Sequence, residues 1–349
     1  MIPNDITWLI FPPQAPMKFK KSILIASSSI ILMAVGAMGA TIGPKVFTKL
    51  SSIDNLWDDT RKRNWDDRFE SIITPERNQP AYIFKSADAS SRPLIVSLHT
   101  WSGGYDQNDP LSILSAENNW NYIHPHMQGP NNNSNACLSD DVIDDINDAI
   151  SYSLNNMNVD MDNIIVIGAS GGGYATLGAY LKEKIPAKAY IAWVPISDLG
   201  AWYWQSKANN RKYADDIFNC TRSVETLNQE EVKARSPLRW ELENKRYPSL
   251  IIYAGLNDGY QGAVPISHSI LFYNKMVKHE GGDWEHLVSA EQTADLLTRA
   301  ASPSFDKFLG DRGVFYERDY KHLSLNIFDG GHEMLTEYAA EEIRRIVEN

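Results

Sequence analysis

Residues 163–174 run Asn163-Ile-Ile-Val-Ile-Gly168-Ala169-Ser170-Gly171-Gly172-Gly173-Tyr174. An apolar run of strand type ends in a glycine-serine-glycine turn, and a helix-like stretch follows. This is the sequence form of a nucleophile elbow, G-x-S-x-G, with Ser170 at its centre. Such a turn strains the serine backbone and points the hydroxyl out of the sheet. A side chain at 168 or 172 would collide with the neighbouring strand or helix. The motif is short, so the chain on either side has to carry the reading.

Outward from the elbow, strand-like and helix-like segments alternate. Strands are expected at 81–86, 93–99, 122–127, 164–167, 189–194, 249–254 and 323–328. Helices are expected at 139–157, with Ser139 and Asp140 as cap candidates, and at 172–184, 266–279 and 333–347. This alternation predicts an α/β fold, a mostly parallel sheet with helices on both faces. Two stretches interrupt it: 199–247, polar with Trp202, Tyr203, Trp204 and Tyr213, and 281–312, of helical character. Insertions of this size suit a lid over a site. Residues 81–349 form the expected catalytic domain. Residues 46–80, with Trp57, Trp65 and Phe69 at helical spacing, are expected to form one or two short helices.

An elbow serine needs a base and an orienting acid. In this architecture they follow the serine in the order acid, then histidine, each after a strand. The strand at 250–254 runs into Gly255-Leu-Asn-Asp258-Gly259, and the strand at 325–328 into Asp329-Gly-Gly-His332. Ser170, Asp258 and His332 are therefore the expected nucleophile, acid and base, at the carboxyl edge of one sheet. Asp329 competes as the acid but shares a loop with His332. The expected oxyanion donors are the N–H of Gly171 and, from His99-Thr100-Trp101-Ser102-Gly103-Gly104, that of Trp101, with Thr100 second. Of the other histidines, His99 is expected to bond locally and His268 to lie on a helix. His124 and His126 share a strand face without a third ligand at useful spacing, so no metal and no cofactor is expected.

The bulk numbers narrow the function classes. The 349-residue chain is 43% hydrophobic with a formal charge of −11. Nucleic acid as a partner is excluded in this reading, because phosphate binding needs a basic face. Oligomeric state is not legible. Residues 1–45 read as targeting sequence: a basic run at 17–21 precedes an uncharged apolar stretch at 22–42, and Ala37-Met-Gly39 has the form of a cleavage site. An export signal is expected, with a membrane anchor as the alternative; Met17 reads as the start. Export places the protein in the periplasm or outside the cell, where Cys137 and Cys220 are expected to pair.

With these residues in hand, the chain over about 80–349 resembles the α/β-hydrolase superfamily, and most closely the catalytic domain of the prolyl oligopeptidase family. The matching stretches are Pro93-Leu-Ile-Val-Ser-Leu-His-Thr-Trp-Ser-Gly-Gly104, Ala192-Trp-Val-Pro-Ile-Ser-Asp198 and Val264-Pro-Ile-Ser-His-Ser269. The resemblance implies a serine hydrolase with Ser170, Asp258 and His332 as its triad. That family carries a propeller ahead of the hydrolase domain, and the 46–80 segment is too short for one. The fold also carries esterases. Trp101, Tyr105, Trp193, Trp202 and Trp204 crowd the expected mouth, and Trp202, Trp204 and Tyr105 are candidates to stack on a sugar or aryl group; Trp193, on a strand, is expected in the core. An esterase on acylated carbohydrate or another ester is the first expectation. The alternatives are a peptidase on short peptides and an inactive fold used for binding. No acidic pair for a peptide amino terminus stands out, with Asp140, Asp141, Glu241 and Glu243 left open.

Overall fold

A single twisted sheet organises the chain, and its middle is parallel because each strand there is followed by a helix that returns the chain to the same edge. The computed structural model describes residues 65–348 apart from 183 and 186. In chain order the elements are β1 (Glu70–Ile73), β2 (Pro80–Phe84), β3 (Arg92–Leu98), α1 (Pro110–Glu117), β4 (Asn121–Pro125) and α2 (Asp140–Asn156). Then come β5 (Val159–Ala169), α3 (Gly171–Leu181), β6 (Ala189–Trp193), α4 (Leu199–Ala208), α5 (Tyr213–Cys220) and α6 (Gln229–Ala234). The chain closes with β7 (Ser249–Gly255), α7 (Ser267–His279), α8 (Ala290–Thr298), β8 (Ser304–Leu309), β9 (Arg312–Tyr320), β10 (Leu323–Phe328) and α9 (Thr336–Glu348).

The ten strands run β1-β2-β4-β3-β5-β6-β7-β10-β9-β8. Strands β4, β3, β5, β6, β7 and β10 are parallel, and an antiparallel pair closes each edge. Alternation along the strands splits the core in two. Leu94, Val96, Ile164 and Val166 face one side, with α2, α3 and α7. Ile95, Ile165 and Ile167 face the other, with Leu111 of α1 and Ala339 and Ile343 of α9. Each such side chain contributes about 1.5–3 kcal/mol by leaving water. The α/β class is as expected.

The structure differs from the sequence reading in four places. The expected helices before residue 80 are absent from 65–80, where β1 forms instead. Trp65 stacks on Tyr82 at 4.5 Å and Phe69 packs edge-on to Tyr122 at 5.8 Å, so aromatic spacing there marks contact with a sheet rather than a helix face. Trp57 and the segment at 22–42 lie outside the described residues. Residues 281–312 contribute α8 but also β8, and β9 follows. The final helix begins at Thr336, leaving 329–335 as the loop that carries His332. Ser139 is the N-cap residue of α2, yet its hydroxyl bonds Asn135 O rather than a helix N–H.

Cys137 and Cys220 form a disulfide with Cα atoms 6.1 Å apart. It ties the end of α5 to the loop before α2, closing 83 residues. Among the described residues no helix is long and apolar enough to cross a membrane.

Candidate active site

Four loops meet at the carboxyl edge of the sheet, after β3, β5, β7 and β10. The β5–α3 turn is the tightest. Ser170 has φ 57° and ψ −116°, a conformation that costs on the order of 1–3 kcal/mol in a non-glycine residue. Its neighbours enforce it: the Ser170 N–H donates to Trp193 O at 2.9 Å, and Ser170 O accepts from the Tyr174 N–H at 2.8 Å. A Cβ on Gly168 would lie 2.5 Å from the backbone of Gly172, and one on Gly172 would lie 2.1 Å from Leu98 O. The turn therefore closes only with glycine at both positions.

The Ser170 hydroxyl donates to His332 Nε2 at 2.7 Å. His332 Nδ1 donates to Asp258 Oδ2 at 2.7 Å. This network assigns the tautomer, with the proton on Nδ1. Asp258 is 3% exposed, and its other oxygen accepts the N–H groups of Gly259 and Val264, both at 2.9 Å. The loop after β7 thus wraps the carboxylate and leaves one oxygen for the imidazole. Asp329 is exposed; its N–H donates to Gly313 O, and the structure brings Asp258, not Asp329, to His332. Such a relay lets the hydroxyl lose its proton as it attacks and stabilises the imidazolium that forms.

The loop after β3 lies against the start of α3. A Cβ on Gly171 would lie 2.2 Å from the backbone nitrogen of Trp101, so the two nitrogens border the same small space. The Gly171 N–H opens α3 and has no preceding helical turn to bond, and its helix end favours negative charge. Among the described residues no acceptor takes the Trp101 N–H. The Thr100 N–H, in contrast, donates to Gln107 Oε1 at 2.9 Å. That bond removes Thr100 from the donors expected at this position. His99 is held between Thr100 O and His126 O, and burial lowers its pKa to about 4.

The aromatic residues separate into two groups. Trp202 is fully buried: it stacks on Tyr213 at 4.9 Å, meets Trp101 edge-on at 4.6 Å, and its Nε1 donates to Ala263 O at 2.9 Å. It is core, not an open stacking face, which corrects the expectation of substrate contact. Trp204 is 58% exposed, with Lys207 over its ring. Tyr105 is half-buried and stacks on Tyr82 at 5.5 Å. Trp193 lies in the core against Tyr253 at 4.1 Å. His124 and His126 do not share surroundings: His124 is buried 3.8 Å from Asp109, whereas His126 lies beyond the end of β4 under Gly104 and Tyr105. Asp140 and Asp141 pair with Lys182 and Arg77. Sequence reasoning missed Asp216, which receives the Trp101 indole N–H at 3.1 Å.

Comparison with known proteins agrees with this architecture. Residues 122–293 match the Prolyl oligopeptidase family. Among solved structures, the acylaminoacyl peptidase of Pyrococcus horikoshii superposes with a TM-score of 0.54 at 16% identity, over 82% of this chain and 41% of that one. Oligopeptidase B from Leishmania major gives 0.51 at 13% identity, over 80% and 36%. A prolyl endopeptidase structure gives 0.53 at 13% identity, over 80% and 37%. The chain therefore spans well under half the length of these proteins. The search of curated proteins finds no match.

Proposed function

We propose, from its α/β-hydrolase-like fold and its match to the prolyl oligopeptidase family, that the chain is a serine hydrolase acting through an acyl-enzyme, with short peptides as its substrates. One observation carries the mechanism: two 2.7 Å hydrogen bonds link Ser170, His332 and Asp258 in series. In this reading Ser170 Oγ bonds to the carbonyl carbon and its proton passes to His332 Nε2. The N–H groups of Gly171 and Trp101 receive the oxyanion. As the tetrahedral species collapses, the bond to the leaving group breaks and His332 protonates it. Water then repeats the sequence, giving its proton to His332 and releasing the acid. Asp258 holds the imidazole throughout.

The choice of peptide over ester rests on the comparisons. The family match and the similar structures support the peptidase reading better than the esterase on acylated carbohydrate expected first. Burial of Trp202 weakens the sugar-stacking argument further. Export through residues 1–45, into the periplasm or beyond, belongs to the same proposal, and the disulfide supports an oxidising compartment. The test is a panel of dipeptidyl amides, p-nitrophenyl acetate, acetylated xylan and feruloyl esters. Cleavage of amides with the highest kcat/KM among the natural bond types is expected. Cleavage of xylan acetate or feruloyl ester with inert amides would overturn the peptidase reading and restore the esterase.

A further inference from the structure

Trp101 is held from two sides by segments far apart in sequence. Its indole, 1% exposed, donates to Asp216 Oδ2 on α5. Lys212, one turn earlier, donates to the same oxygen at 2.9 Å and to Ser102 Oγ at 2.8 Å. On the opposite side, Trp101 O accepts the Asn131 N–H at 2.8 Å. Asn131 Oδ1 in turn accepts the Cys137 N–H at 2.8 Å. Cys137 is bonded to Cys220, which ends α5 four residues after Asp216. The contacts close a ring: Trp101, Asp216, Cys220, Cys137, Asn131 and back to Trp101.

We infer that Asp216 and Asn131 are positioning residues for the oxyanion donor, with the disulfide closing the brace that joins them. The inference rests on the reading of the Trp101 N–H as that donor. A donor works only if it stands where the negative charge forms, and loss of one costs about 10²–10³ in rate. The indole and the carbonyl lie on either side of the Trp101 Cα. The backbone nitrogen is the third group on that Cα, so anchoring the other two fixes where its N–H stands. The carboxylate of Asp216 is only 14% exposed, and it accepts both the Lys212 ammonium and the indole of the residue whose backbone nitrogen borders Gly171. The insertion thereby braces the loop after β3.

Steady-state kinetics of the full chain on p-nitrophenyl acetate test this. Asp216→Leu removes the acceptor and is expected to lower kcat about tenfold with KM within twofold. Asp216→Asn keeps an oxygen for the indole and recovers most of kcat. Trp101→Phe removes the indole donor but keeps the backbone N–H; it produces a similar fall, and the Trp101→Phe/Asp216→Leu pair falls no further. Amide exchange at 99–104 quickens in Asp216→Leu and in Cys137→Ser/Cys220→Ser, while exchange in β3 does not change. The inference is overturned if kcat stays within twofold in Asp216→Leu, or if Asp216→Asn loses as much as Asp216→Leu. Should Asp216→Leu not fold, Trp101→Phe decides alone by the same twofold criterion. Full turnover in Ser170→Ala is a separate outcome: it rejects the nucleophile assignment on which the inference depends.

Discussion

Asp258 has both oxygens committed, one to two backbone N–H groups and one to His332. An amide in its place can satisfy only part of that pattern, and it no longer selects the tautomer with the proton on Nδ1. Asp258→Asn is therefore expected to reduce kcat by about 10⁴ with the fold retained, read by kinetics alongside circular dichroism. A fall below tenfold would give the acid role to another group. His268 tells a different story at the same scale. Its Nδ1 accepts from the N–H groups of Ser197 and Asp198 at 3.2 and 3.3 Å, and its Nε2 lies 3.0 Å from Gln205 Oε1. The ring is thus held neutral, and burial lowers its pKa to about 4. The unfolded chain binds this proton below about 6.5, before the folded chain does. Its contribution is therefore complete above about 6.5 and is lost as pH falls toward 4, by at most about 1.4 kcal/mol per pH unit. Thermal melts between pH 7.5 and 5 should slope more steeply for the wild type than for His268→Gln. Equal slopes would remove His268 from the acid response.

At the scale of elements, the insertion between β6 and β7 is bonded to two of the loops that meet at the site. Trp202 of α4 reaches the loop after β7 through Ala263 O, and Asp216 of α5 reaches the loop after β3. Trp202→Ala opens a cavity in this cluster and breaks that bond. A loss of about 3–5 kcal/mol is expected by denaturant unfolding; a loss under 1 kcal/mol would mean that the cluster collapses to fill the space. The disulfide acts on the same unit. Closing 83 residues contributes on the order of 4 kcal/mol in the chain-entropy model. Replacing both cysteines by serine is expected to lower Tm by on the order of 10 °C. An unchanged Tm would place the bridge's value outside global stability.

For the molecule as a whole, the parallel half of the sheet was legible because its strands are continuous apolar runs. β10 occupies the range expected, Leu323–Phe328, and the elbow strand and helix stand where Gly168–Gly172 require them. Of the antiparallel edge strands, β2 overlaps the strand expected at 81–86, whereas β1, β8 and β9 were not legible. β9 (Arg312–Tyr320) is mostly half-buried and carries charges on an outer strand, so it lacks the apolar run that marks the centre. α1 (Pro110–Glu117) is short and has no marked apolar face. In the site, strand ends announced Ser170, Asp258 and His332, because topology alone brings such ends to one edge. The loop interior was harder. Thr100 and Trp101 are adjacent, and only the bond to Gln107 distinguishes them. Trp202 and Trp204 read alike in sequence, yet two residues on a helix point about 200° apart, so one is buried and the other exposed.

In the proposed serine hydrolase Ser170 is the nucleophile. The most direct measurement is mass spectrometry of the folded protein after reaction with a fluorophosphonate. A single adduct is expected on the peptide containing Ser170, absent from Ser170→Ala and strongly slowed in His332→Ala. No adduct on the folded wild type, or an adduct on a different serine, would contradict it.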